Sequence, residues 1–102
     1  MLSLSVIQDA QHYLNKYQLN GWLIYDYHHS NPVFWQLFGN MDMVTRPCFF
    51  FIPSTGKPCL VVHHVDAGRF KDDDLGKYIY SNRDTMVEAL ARIVSPGWNV
   101  AM

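Results

Sequence analysis

RPCFFFIPSTGKPCLVVHH, residues 46–64, decides how this chain is read. Two apolar runs, 48–52 and 59–62, flank the segment Pro53-Ser54-Thr55-Gly56-Lys57-Pro58. Both runs are short and rich in aromatic or β-branched residues, and proline and glycine close them. The pattern predicts a β-hairpin with a four- or five-residue loop, Gly56 supplying the positive φ that such loops need. Each run is apolar almost throughout instead of alternating, so both faces of the sheet it joins must be covered. A four-residue loop sets Cys48 opposite His63. A five-residue loop sets it opposite Val62 and on the other face from Cys59. Either way the sulfurs lie on the order of 10 Å apart along the ladder, beyond the Cα separation of about 7 Å that a disulfide spans. Two free, buried thiols are expected, as in a reducing compartment.

Outward from the hairpin, residues 5–17 place Val6, Ile7, Ala10, Tyr13, Leu14 and Tyr17 at spacings of three and four, the period of an amphipathic helix. Ser5 and Gln8 suggest a capping box, and Asn20-Gly21 a stop. Residues 22–27, WLIYDY, read as a strand. Asn31 is a good N-cap with Pro32 at the first helical position, so a short helix carries Val33, Phe34, Leu37 and Phe38 up to Gly39. Residues 39–46 read as a polar loop holding Met41 and Met43. Beyond the hairpin, residues 64–76 are polar and suggest no firm element. Residues 77–80 form a short strand, and Ser81-Asn82 caps a helix to about Val94 whose buried stripe is Met86, Val87, Leu90, Ile93 and Val94. Residues 98–102 look like one more strand. The alternation implies a mixed α/β sheet with helices on its faces.

The chain has 102 residues, enough for one domain with a real core. It is 49% hydrophobic and 17% charged, with a net charge of −1. No basic patch stands out, which argues against nucleic acid or an anionic membrane as partner. There is no basic start with a long apolar stretch of the signal-peptide kind, and no apolar run long enough for a membrane span. A cytoplasmic protein is expected.

Few constellations carry chemistry. His28-His29 and His63-His64 are adjacent pairs, and neighbours in a strand point apart. One histidine of each pair could meet Asp26 or Asp66 at aligned strand ends, but no HxH, HExxH or CxxC spacing supports a metal. Histidines facing solvent or capping backbone are the expectation. Asp72-Asp73-Asp74 lacks the alternation and glycine of a calcium loop. Cys48 and Cys59 sit in apolar strands, where a thiol behaves as a small hydrophobe. The isolated glycines make no phosphate loop. Most aromatics belong to the core, while Trp35 with Phe38 and Met41 could reach a surface. Met41 and Met43 are the better contact candidates.

Two blocks carry a resemblance. GWLIYDYHHSNPVFWQLFG has the strand, asparagine, aromatic residues and glycine that open the N-terminal domain of the Xaa-Pro aminopeptidase, prolidase and creatinase family. RPCFFFIPSTGKPCLVVHHVDAGRF resembles that domain's central hairpin. The likeness runs over essentially the whole chain, with departures at Leu37-Phe38-Gly39 and Trp35-Gln36. It implies a ribonuclease-H-like α/β fold, a mixed sheet of about five strands with helices on both faces, as one domain over residues 1–102. It also implies a non-catalytic domain of a longer, proline-specific metallopeptidase, a dipeptidase or aminopeptidase. In that family the hydrolase chemistry belongs to a following pita-bread domain, where two Asp, one His and two Glu hold two divalent ions, Mn, Co or Zn. No cofactor is implied for this chain. Its partners would be its own C-terminal catalytic domain and a second subunit of a homodimer, and the parent would act on proline-containing peptides. The residues nearest the active-site mouth would be His28, His29, Trp35, Met41, Met43 and Arg46. A creatinase-like amidinohydrolase domain, a stand-alone interaction module and a small histidine-metal enzyme are the alternatives.

Overall fold

The hairpin forms the middle of a five-stranded mixed sheet in the computed structural model, which describes residues 4–28, 30–38, 46–70 and 76–102. The elements run α1 (Leu4–Lys16), β1 (Gly21–Asp26), α2 (Pro32–Phe38), β2 (Cys48–Pro53), β3 (Cys59–His63), a 3-10 turn (Ala67–Arg69), β4 (Gly76–Tyr80), α3 (Arg83–Ile93) and β5 (Val100–Ala101). Strand order is β4-β3-β2-β1-β5. The three central strands are antiparallel, β4 lies parallel to β3, and β5 lies parallel to β1.

Phe49 pairs with Val61 and Phe51 with Cys59, which is the register of the five-residue loop. Gly56 has φ +99° there, as the loop demands. Alternate residues of β2 then enter two cores. Cys48, Phe50 and Ile52 pack with Leu60 and Val62 under α1 and α2, together with Ile7, Leu14, Phe34, Trp35, Leu37 and Phe70. Phe51 and Val61 pack under α3 with Tyr80, Ala89 and Ile93. Continuous apolarity in the sequence thus corresponds to a sheet covered twice. Each fully buried Phe, Ile or Leu contributes about 1.5–3 kcal/mol.

Several local readings change. α1 begins at Leu4, so Ser5 lies within its first turn and not before it. The helix ends in a Schellman motif: the N–H of Leu19 donates to Leu14 O at 2.8 Å and that of Gln18 to Asn15 O at 3.3 Å. Gln18, with φ +59°, takes the left-handed position that glycine usually holds. Gly21 has a different duty. A Cβ there would sit 2.1 Å from Cζ of Phe51, whose ring lies across the glycine. Phe51 is also stacked on Trp98, with ring centres 6.2 Å apart.

α1 buries a narrower stripe than its period suggests. Ile7 and Leu14 are buried and Ala10 packs beside them, but Val6, Tyr13 and Tyr17 face outward. On α3, Ala89 and Ile93 are the buried pair and Val87 is exposed, because the stripe runs through Met86, Ala89, Leu90 and Ile93. Asn82 caps that helix in a capping box with Thr85, its Oδ1 accepting from Thr85 N at 2.9 Å. Both cysteines are free, but Cys59 is half-buried.

At the amino-terminal end of β1, amide side chains close the sheet. Asn20 and Asn99 exchange two hydrogen bonds of 2.8 Å. Gln11 Nε2 donates to Pro53 O at 3.0 Å and to Gly56 O at 2.9 Å, and Asn15 Nδ2 donates to Ser54 O at 2.9 Å. α1 is thereby tied to the hairpin loop.

Candidate functional site

The carboxyl-terminal ends of β1, β3 and β4 and the start of β2 lie along one edge of the sheet. Chain direction alone brings Asp26, Cys48, His63 and Tyr80 to that edge. In mostly parallel α/β sheets ligands bind outside the carboxyl ends of the strands, and here β1, β3 and β4 end at this edge while β2 begins there.

Two carboxylates are buried here, Asp26 at 0% exposure and Asp66 at 1%. A buried carboxylate is costly unless hydrogen-bonded. Asp26 Oδ1 accepts from the backbone N–H of Asn31 at 2.7 Å. Asn31 in turn donates from Nδ2 to Tyr25 O at 2.7 Å and accepts at Oδ1 from Val33 N–H at 3.0 Å, which makes it the cap of α2. Asp66 Oδ2 accepts from the backbone N–H of Arg46 at 3.2 Å. One carboxylate therefore sets where α2 begins, and the other sets where the chain enters β2.

Cys48 lies with no exposed surface in this polar setting. Burial pushes its thiol well above the ordinary range, and the nearby Asp26 and Asp66 carboxylates push the same way. A thiol so held remains protonated and is a poor nucleophile. Tyr80 donates its hydroxyl to Pro47 O. Burial, reinforced by Cys48, Asp66 and Tyr25, raises its hydroxyl to about 12.

The histidines divide. His63 Nδ1 accepts from Val65 N–H at 3.1 Å, and its ring stands edge-on to Tyr80 at 5.2 Å. It caps the turn after β3. His64 is exposed, its ring 4.5 Å from that of His63. His28 is exposed with φ +58°, and its ring lies 4.0 Å from Tyr27. Among the described residues, no three His, Cys, Asp or Glu side chains form a group that could hold a metal ion.

Of the residues singled out from sequence, His28 and Arg46 lie on this edge and are exposed. Trp35 points inward, 8% exposed, with its ring 4.9 Å from Phe34 and 6.4 Å from Phe70. His29, Met41, Met43, Gly39 and the Asp72-Asp73-Asp74 run lie outside the described residues. Tyr80 was missed as part of this edge, because only the parallel pairing of β4 with β3 brings it there. Asp26 carried one signal, a carboxylate closing an apolar strand five residues before an Asn-Pro helix start.

No protein-family model matches the chain, and no curated protein matches it. Among the described residues, no helix is long and apolar enough to cross a membrane.

Proposed function

We propose that this chain is the non-catalytic N-terminal domain of a proline-specific metallopeptidase, an Xaa-Pro dipeptidase or aminopeptidase. Its sheet is then of the ribonuclease-H-like type, and its chemistry resides in a C-terminal catalytic domain with two Mn, Co or Zn ions. The domain helps form the homodimer and shapes the mouth through which proline-containing peptides enter.

One observation carries the reading. Buried polar groups at this edge bond backbone: Asp26 accepts from Asn31, Asp66 accepts from Arg46, and Tyr80 donates to Pro47. They hold the start of α2 and the entry to β2. That is scaffold work, done by two carboxylates and a phenol that hold backbone in place. The mixed five-stranded sheet with helices on both faces supports the fold type. Free Cys48 and Cys59 support a cytoplasmic location.

The test is to sequence the message downstream of the codon for Met102. An open frame supplying two Asp, one His and two Glu in a second domain is expected. A stop codon there, or a domain lacking that set, overturns the reading. Turnover of an Xaa-Pro dipeptide against creatine by the whole protein then separates a peptidase from an amidinohydrolase.

A further inference from the structure

One Asn-Gly pair occurs in the sequence, Asn20-Gly21, and it stands at the entry to β1. Asparagine is a chemically labile residue, most of all before glycine, where no side chain screens the next backbone nitrogen. That nitrogen can bond Cγ of the asparagine, and the side-chain amide then leaves with the nitrogen's proton as ammonia. Water opens the resulting cyclic imide at either carbonyl. Attack at Cγ gives aspartate. Attack at the main-chain carbon gives isoaspartate, whose backbone is one methylene longer. The reaction consumes only water and needs no cofactor.

The fold decides whether the two groups meet. Asn20 is half-buried, and its Oδ1 accepts from the N–H of Asn99 at 2.8 Å. Its own N–H donates to Asn99 O at 2.8 Å, and its carbonyl accepts from Ser54 N–H at 2.9 Å. Gly21 lies in β1 between Pro53 and Val100, with the Phe51 ring across it. Ring closure therefore requires the carboxamide to release Asn99 and the Asn20 backbone to turn. What holds Asn99 is slight. β5 is only Val100–Ala101, pairs with β1 at Gly21 and Trp22, and lies at the edge of the sheet. Trp98, 40% exposed, latches it by stacking on Phe51. So short an edge element opens locally at a fraction of the global free energy. We propose that Asn20 is a site of spontaneous deamidation gated by β5, closed while β5 is paired with β1 and open when β5 leaves. An isoaspartate there displaces Gly21 from its place under Phe51 and from its register with Pro53 and Val100, so each opening that reacts is recorded permanently. The proposal is independent of the peptidase reading, because its test reads a covalent change in this chain and not turnover.

The test incubates the native chain, Trp98→Ala and a synthetic peptide of residues 16–25 side by side at neutral pH. Peptide mapping by mass spectrometry, with enzymatic detection of isoaspartate, follows Asn20, and circular dichroism verifies that the variant folds. The native chain should react more slowly than the peptide by about thirtyfold or more, and Trp98→Ala should react about tenfold faster than the native chain. A second measurement needs no variant. Release of β5 exposes little surface, so the native rate should rise far less steeply with low urea than the global unfolding constant does. A native chain that reacts as fast as the peptide overturns the proposal, since the fold then locks nothing. So does a Trp98→Ala chain no faster than the native one, or a native rate that follows urea with the full slope of global unfolding.

Discussion

The two ends of β1 solve one problem in different ways. At its amino-terminal end, strand-end backbone groups are satisfied by neutral amides at or near the surface, Gln11, Asn15, Asn20 and Asn99, and Phe51 closes over Gly21. At its carboxyl-terminal end the same task falls to buried ionisable groups, Asp26, Asp66 and Tyr80, packed around the Cys48 thiol. Amides in contact with water are inexpensive and indifferent to pH. Buried carboxylates and phenols hold their partners more firmly, but their loss leaves a buried donor or acceptor unsatisfied. The firmer and more vulnerable construction stands at the end where α2 and the chain entering β2 must be held.

The sharpest way to break this contrast is Asp26→Ala. It strands the N–H of Asn31 and opens a void, and it should cost about 3 kcal/mol in urea unfolding. Gln11→Ala at the opposite end should cost about 1 kcal/mol, since water replaces the lost donor. Equal costs would erase the distinction. Next is Gly21→Ala, whose methyl displaces the Phe51 ring from its place over β1 and beside Trp98. About 2 kcal/mol is expected, as for other overpacked sites.

A third test uses alkali. Cys48 and Tyr80 ordinarily titrate near 9 and 10, and both are raised in the folded chain, Tyr80 to about 12. In that window the unfolded chain has lost protons that the folded chain keeps. Stability is therefore whole below about pH 9 and falls as pH rises, by up to about 1.4 kcal/mol per pH unit for each group. Chemical unfolding between pH 8 and 11, on the native chain and on Tyr80→Phe, measures it, and the variant should show the shallower slope. The smallest effect is expected at Gln18→Gly, which relieves the left-handed position after α1. The gain should be about 0.5 kcal/mol in thermal melts, the relief being partly offset by chain entropy.

Much of this fold was legible in the sequence. Order and type of the elements followed from periodicity, and the Gly56 loop and the Asn31 and Asn82 caps from local chemistry. What escaped is what only tertiary packing decides. Gln18 accepts a left-handed φ because Leu19 and Leu14 close the motif behind it. Val87 and Tyr13 fall outside their expected stripes because each helix presents a narrower face to the sheet than its apolar residues span. The candidate edge was read in pieces. His28 and Arg46 belong to it, whereas Trp35 is core. The link from Tyr80 to Pro47 depends on β4 crossing to lie parallel to β3, a pairing no local pattern encodes.

The claim that this domain positions chemistry without performing it is tested most directly by one assay. The 102-residue chain is incubated with an Xaa-Pro dipeptide and a longer Xaa-Pro peptide, with manganese, and its metal content is measured on the same sample. The account predicts no turnover and no stoichiometric metal. Turnover that survives repurification and rises with bound metal would contradict it and return attention to His28, His63 and His64.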